Sequence, residues 1–126
     1  MCTVPSELRY TAQHEWVREG EPATIGITDT ATEALGDIVY LELPEVGVPL
    51  TAGSVCGEVE STKSVSELYS PVTGQVVEVN QEAVDDPALV NNDPYDAGWL
   101  FELRPSDSSA VDGLMDAAAY QDTLGD

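Results

Sequence analysis

The side chain with the most chemical promise is Lys63. It is the one lysine among 126 residues, and it lies in the stretch ESTKSVSELYSP, residues 60–71. The other three basic residues are Arg9, Arg18 and Arg104, set against 24 acidic ones. A nucleophilic or Schiff-base lysine needs burial or nearby cations to release its proton. Glu58, Glu60 and Glu67 surround Lys63 in sequence and favour its charged form instead. One lysine amid so much acid cannot carry a nucleic-acid contact. Two uses remain: a solvated loop charge, or an attachment point that acylation turns into a long neutral tether. Solubility is already supplied by the acidic residues, which weakens the first. The scarcity of arginine shows that a low basic content is partly a general bias of the chain.

The elements around Lys63 bear on that choice. Val55, Gly57 and Val59 alternate with Cys56, Glu58 and Glu60, the period of a half-buried strand. Thr62 and Lys63 then form the centre of a turn, flanked by Ser61 and Ser64, and a return strand starts at Val65. β-branched Thr62 disfavours positive φ, so a type I turn or a slightly longer loop is expected rather than type I′. Lys63 would stand at the exposed tip of a hairpin.

The rest of the chain reads mainly as β. HEWVR (14–18) and ATIGI (23–27) form a hairpin. TDTATEALG (28–36) changes period to a two-turn helix, capped by Thr28 or Asp29 and ended by Gly36. DIVYLELP (37–44), TGQVVEVN (73–80) and GWLFELRP (98–105) are further strands. DDPALVN (85–91) is a single helical turn, with Asp86 as cap and Pro87 in the first helical position. Residues 109–124 read as one C-terminal helix. Ser109 and Asp112 make a weak capping box, and Val111, Leu114, Met115 and Ala118 form its apolar face. GDIVYL (36–41) echoes GQVVEV (74–79), and a β run follows each copy, GEVE (57–60) and LFEL (100–103). Two related halves of short strands suggest a pseudo-symmetric β sandwich, with the lysine segment between them.

Composition bounds the partners. Hydrophobic residues make up 42% of the chain and the formal charge is −20. That suits one domain with a real core. Such a field repels nucleic acid and anionic membrane and steers partners with basic patches. Cys2 and Cys56 make no disulfide framework or metal cluster, and no metal site is expected. Neither a signal peptide nor a membrane span is evident, and the expected location is cytoplasmic.

ESTKSVSELYSPVTG (60–74) resembles the lipoyl-lysine motif of the glycine cleavage system H-protein family. YTAQHEWV (10–17), IGITDTATEALGDIVYLELPEVG (25–47) and LVNNDPYDAGWL (89–100) resemble its other hallmarks, in order and over nearly the whole chain. One departure is Thr62, where relatives mostly carry valine. The resemblance implies a lipoyl/biotinyl-type barrel-sandwich hybrid with a short internal helix and a C-terminal helix. It implies one carrier domain, 1–126, with a core over about 8–104. Lipoate would be held in amide linkage on Lys63, and the protein would be a carrier rather than an enzyme.

The partners so implied are a pyridoxal-phosphate glycine decarboxylase, a tetrahydrofolate-dependent aminomethyltransferase and dihydrolipoamide dehydrogenase. A lipoate ligase or octanoyltransferase, with lipoyl synthase, would modify the lysine. The carrier is expected to be monomeric. By resemblance, Glu60 is a candidate for recognition by the modifying enzyme. Glu15 and Glu67 are candidates for a cleft that shelters the loaded arm, where a carboxylate can pair with an amine. Plain structural roles compete: a solvated acid for Glu60 and Glu67, the exposed face of strand 14–18 for Glu15, and a satisfied structural histidine for His14. Trp16 and Trp99 read as core or half-buried aromatics, and Cys56 as a small buried hydrophobe. Biotin domains usually place methionine on both sides of the lysine, where this chain has Thr62 and Ser64. Two further readings stand beside glycine cleavage: a relay donating lipoyl groups to other complexes, and an unmodified acidic interaction module.

Overall fold

The computed structural model describes residues 5–20, 22–106, 111 and 113–123. Ser109 and Asp112 lie outside them, as does Cys2. Two antiparallel sheets form the body. Arg9–Tyr10 (β1), Glu15–Arg18 (β2), Ala23–Ile27 (β3), Phe101–Pro105 (β9), Gly74–Val79 (β8) and Pro49–Leu50 (β5) line up in that order in the larger one. Ile38–Glu42 (β4), Val55–Ser61 (β6) and Val65–Tyr69 (β7) form the smaller one. Asp29–Leu35 (α1), Gln81–Asp85 (α2), Ala88–Asn92 (α3) and Ala117–Thr123 (α4) complete the described elements.

Local chemistry explains most of these boundaries. The Thr28 hydroxyl accepts Ala31 N–H and starts α1. Gly36 ends it with φ +82° and ψ −151°, a backbone region open essentially to glycine alone. The sequence echo is structural. β4 pairs with β6 and β8 with β9, and each echo strand bulges at the same place, between Ile38 and Tyr40 and between Val76 and Glu78. Bulges sharpen twist and bend each strand over the core.

The core has two parts. The larger gathers Val17, Ile25, Leu41, Val59, Leu68, Val76, Phe101 and Leu103 between the sheets. The smaller gathers Leu8, Tyr10, Trp16 and Tyr120. β2 separates them, with Trp16 facing the small cluster and Val17 the large one. Trp16 is fully buried, and its indole N–H donates to the carbonyls of Ile27 and Pro94. Trp99 is half-buried against the same cluster. Tyr120 stacks on Tyr10 with centroids 4.6 Å apart, and its hydroxyl reaches both His14 Nδ1 (2.7 Å) and Thr28 Oγ1 (2.9 Å). His14 is therefore a satisfied structural histidine.

The C-terminal segment differs from the expected single helix over 109–124. Met115 forms a β bridge with Tyr10, exchanging bonds of 2.8 and 3.0 Å, and α4 begins only at Ala117. The expected apolar face is divided accordingly. Val111 and Leu114 join the large cluster and Met115 the small one. A second difference is at α3, where Pro87 has helical angles but no side chain caps the helix.

Candidate lysine presentation site

The turn 61–64 is closed by Ser61 N–H donating to the Ser64 carbonyl at 2.8 Å. The Ser61 hydroxyl accepts the N–H groups of Lys63 and Ser64 at 3.2 and 3.1 Å. Thr62 and Lys63 are thus the central pair, and both have negative φ, which excludes the primed turns. Glu60 pairs with Val65 directly below the turn. The hairpin and the exposure of Lys63 both follow the sequence reading.

The tip is tied down from the side. Thr62 N–H donates to the Asp37 carbonyl at 3.0 Å. The lysine stem crosses Gly36, where a Cβ would lie 3.3 Å from Lys63 Cε and 3.5 Å from Cδ. Glycine at 36 therefore serves two needs, the end of α1 and a bed for the stem. The sequence signal for Gly36 was the helix stop alone; its contact with Lys63 is not readable from local pattern.

The arginines are used differently. Arg9 pairs with Glu19 at 3.6 Å, and Arg18 lies 5.1 Å over the Trp16 ring while donating to the Tyr95 carbonyl. Lys63 has no ion pair within 4.0 Å among the described residues. Its amine is exposed and uncommitted.

The outward face of the small sheet runs down from this tip. Tyr40, Glu60 and Val65 sit opposite one another across β4, β6 and β7, and Glu42, Glu58 and Glu67 form the next row. Glu60 is half-buried and Glu67 exposed. Val39, Tyr40 and Val65 are 55%, 48% and 57% exposed, an apolar group beside the lysine with a carboxylate row below it. Like charges directly opposite cost stability, and no described cation offsets these.

Glu15 is placed differently from the sequence expectation. It is 2% exposed, so it neither forms an open face of β2 nor lines an open cleft. One carboxylate oxygen accepts Tyr69 N–H at 2.7 Å and the other the Thr11 hydroxyl at 3.2 Å. The Tyr69 hydroxyl in turn donates to Glu67 at 3.3 Å. Tyr69 thus connects the two glutamates, one beneath the end of β7 and one on its surface. A cleft of about 400 Å³, lined in part by Thr11, Gln13, Ser70 and Pro71, opens next to this junction. Tyr69 carried no sequence signal as a link.

Burial pushes the Glu15 carboxyl up to about 7, against the pull of its bonds from Tyr69 and Thr11. The folded chain therefore holds this proton more tightly than the unfolded chain, whose carboxyl sits near 4.5. Its contribution to stability is complete below pH 4.5 and is lost as pH rises through 7. Over that window the difference is worth about 3 kcal/mol. Glu15→Gln keeps the shape and removes the charge. Urea denaturation at pH 5 and pH 8 will show the wild type losing about 2.5 kcal/mol more than the variant over this range. Equal losses would mean that Glu15 does not titrate there.

Cys56 packs half-buried against the large core, as expected of a small hydrophobe. Burial, then the charge of Glu15, pushes its thiol up to about 12, so it is unreactive at neutral pH. The strand alternation around it is shifted. A register irregularity between Val55 and Gly57 leaves Val55 50% exposed and turns Cys56 inward. No group of three or more metal-ligating side chains occurs among the described residues. Among the described residues, no helix is long and apolar enough to cross a membrane.

Known proteins match this chain along its length. A family model, Glycine cleavage H-protein, matches residues 8–126. A glycine cleavage system H protein of Myxococcus xanthus is 57% identical over 118 residues, covering 93% of this chain and 92% of that one. One from Thermobifida fusca is 62% identical over 109 residues, 86% of each chain. The crystal structure of a glycine cleavage system H protein from Mycobacterium marinum superposes with a TM-score of 0.90 at 50% identity. The match covers 97% of this chain and 99% of that one.

Proposed function

The chain belongs to the glycine cleavage H-protein family, and from that premise we propose that Lys63 is its point of lipoyl attachment. Its fold is that of the lipoyl/biotinyl barrel-sandwich hybrid. The protein is a non-catalytic, lipoyl-lysine carrier that shuttles the aminomethyl group in glycine cleavage. One observation carries the assignment of the residue. Lys63 is the single lysine of the chain, and it occupies the centre of an anchored, exposed two-residue turn with its amine in no ion pair among the described residues.

The residues present fit such a group. Thr62 and Ser64 are small and leave the amine open to an acyl-transfer enzyme. Acylation removes one charge and disturbs no ion pair of the described residues. When attached, lipoate supplies the sulfur that accepts the one-carbon unit and the disulfide that is later restored. The chain supplies the rest. A hairpin held by Asp37 and Gly36 keeps the arm's root fixed while the arm swings, which raises the effective concentration of cargo at each partner.

The finer roles follow the same geometry. Glu60 is one residue below the turn, within reach of any enzyme that grips Lys63, and we assign it to recognition by a lipoate ligase or octanoyltransferase. Glu67 lies on the outward face of β7 along the arm's path, where its carboxylate can hold an amine. Glu15 supports that position from beneath, through Tyr69. The apolar and acidic face beside Lys63 suits basic-rimmed docking surfaces on the glycine decarboxylase, the aminomethyltransferase and dihydrolipoamide dehydrogenase.

Exchange of labelled bicarbonate into the carboxyl of glycine tests this. Lipoylated protein mixed with the decarboxylase is expected to support exchange, and unlipoylated protein is not. Lipoylated protein that supports none would instead favour the relay of lipoyl groups to other complexes.

A further inference from the structure

Asn91 lies in α3, remote from Lys63 in sequence, yet its side chain holds the segment on which the lysine turn rests. Its carbonyl oxygen accepts Ile38 N–H at 2.9 Å and its amide donates to the Gly36 carbonyl at 2.8 Å. These bonds straddle Asp37. β4 is an edge strand of the small sheet, so this side has no strand neighbour. The amide of Asn91 supplies the donor and acceptor that a neighbouring strand would. Asp37 then accepts Thr62 N–H, and Gly36 carries the lysine stem. Both lateral supports of the turn therefore depend on a segment that this side chain holds together with the Gly36 N–H bond to Thr32 and the pairing of Ile38 with Ser61.

We propose that Asn91 is a positioning residue for acyl transfer to Lys63; this rests on the reading of Lys63 as the attachment point. A modifying enzyme must receive the amine in one pose. Orientation errors of about 1 Å can cost on the order of a hundredfold in rate. The β6–β7 pairing and the Ser61 bonds do not involve Asn91, so its loss leaves the hairpin formed and Lys63 exposed. What changes is the angle at which the tip is held. Pose and exposure can therefore be separated by experiment.

The test uses Asn91→Ala and Asn91→Asp, with Asn92→Ala as an exposed neighbour for control. Asn91→Asp keeps an acceptor for Ile38 N–H but sets a carboxylate against the Gly36 carbonyl. The readouts are kcat/KM for enzymatic octanoyl transfer, reaction of Lys63 with a small N-hydroxysuccinimide ester, and hydrogen exchange at the Thr62 amide. Both Asn91 variants are expected to lose about tenfold in kcat/KM through misorientation. They should lose protection at Thr62 as well, with unchanged reactivity toward the small ester. Asn92→Ala should match the wild type in all three.

Should either Asn91 variant fail to fold, Thr62→Pro breaks the bond to Asp37 from the other side. Proline suits that turn position, and the same fall in kcat/KM is expected. Folded Asn91 variants with wild-type kcat/KM, or with Thr62 still protected, would overturn the proposal. A wild-type Lys63 that the transferase leaves untouched would overturn the attachment reading itself. Thr62 exchange would still decide whether Asn91 orders the turn.

Discussion

Lys63→Arg will abolish acylation and reduce glycine-dependent bicarbonate exchange to the level seen without carrier, while leaving the fold intact. Arginine preserves the positive charge and most of the stem length. Its guanidinium stays protonated throughout the accessible pH range and does not attack an activated acyl group. Any effect of charge alone is therefore held constant. Stability should change by less than about 0.5 kcal/mol, because the side chain is exposed and its ion pairing is nil among the described residues. The turn's own bonds come from backbone groups and from Ser61, none of which the substitution touches. Retained exchange in a folded Lys63→Arg protein would place the working group elsewhere in the chain.

Gly57→Val will have the largest effect on stability. A Cβ at position 57 overlaps the backbone carbonyl oxygen of Glu42 in the adjacent strand and lies 3.4 Å from Leu68 Cδ1. The obstacle is backbone, so no rotamer change relieves it. β4 must move off β6, which breaks the ladder from Glu42↔Glu58 up to Ile38↔Ser61. That ladder carries the segment that anchors Thr62 and the lysine stem. A cost above about 4 kcal/mol is expected, a large share of the 5–15 kcal/mol that holds a typical domain. Gly53→Ala is the comparison. Gly53, unlike Gly57, has positive φ, +82°, but nothing lies within 4 Å of its Cβ position, so it should lose only about 1–2 kcal/mol. Denaturation midpoints of the two variants decide this. Similar midpoints would mean that the close approach of β4 to Gly57 is easily relaxed.

Much of this architecture is legible locally. The hairpin of β2 and β3, the caps of α1, the lysine turn and the echo of β4 in β8 are all set by neighbours in sequence, and the structure has them. What could not be read depends on distant contacts. β1 and β5 are two residues each, too short to show a period. α2 is a single turn following Asn80, with no side-chain cap to announce it. The C-terminal segment has helical periodicity, but the exchange of bonds between Met115 and Tyr10 stops the helix short.

Glu15 shows the same limit at the site. A strand read as HEWVR implies one wet face. β2 instead lies between two apolar clusters, and Glu15 shares the face of buried Val17. Lys63 was legible because its exposure comes from the turn around it. Its supports, Asp37 and Asn91, were not, because they meet it only in the folded chain.

The central claim is that this carrier works through one covalently modified lysine. Intact mass of the protein purified from the organism that makes it, followed by fragmentation of the peptide spanning 57–71, tests that claim most directly. The expected result is a mass raised by one lipoyl group, located on Lys63. Protein of unmodified mass from cells with active lipoylation, or a lipoyl group located anywhere else, would contradict it.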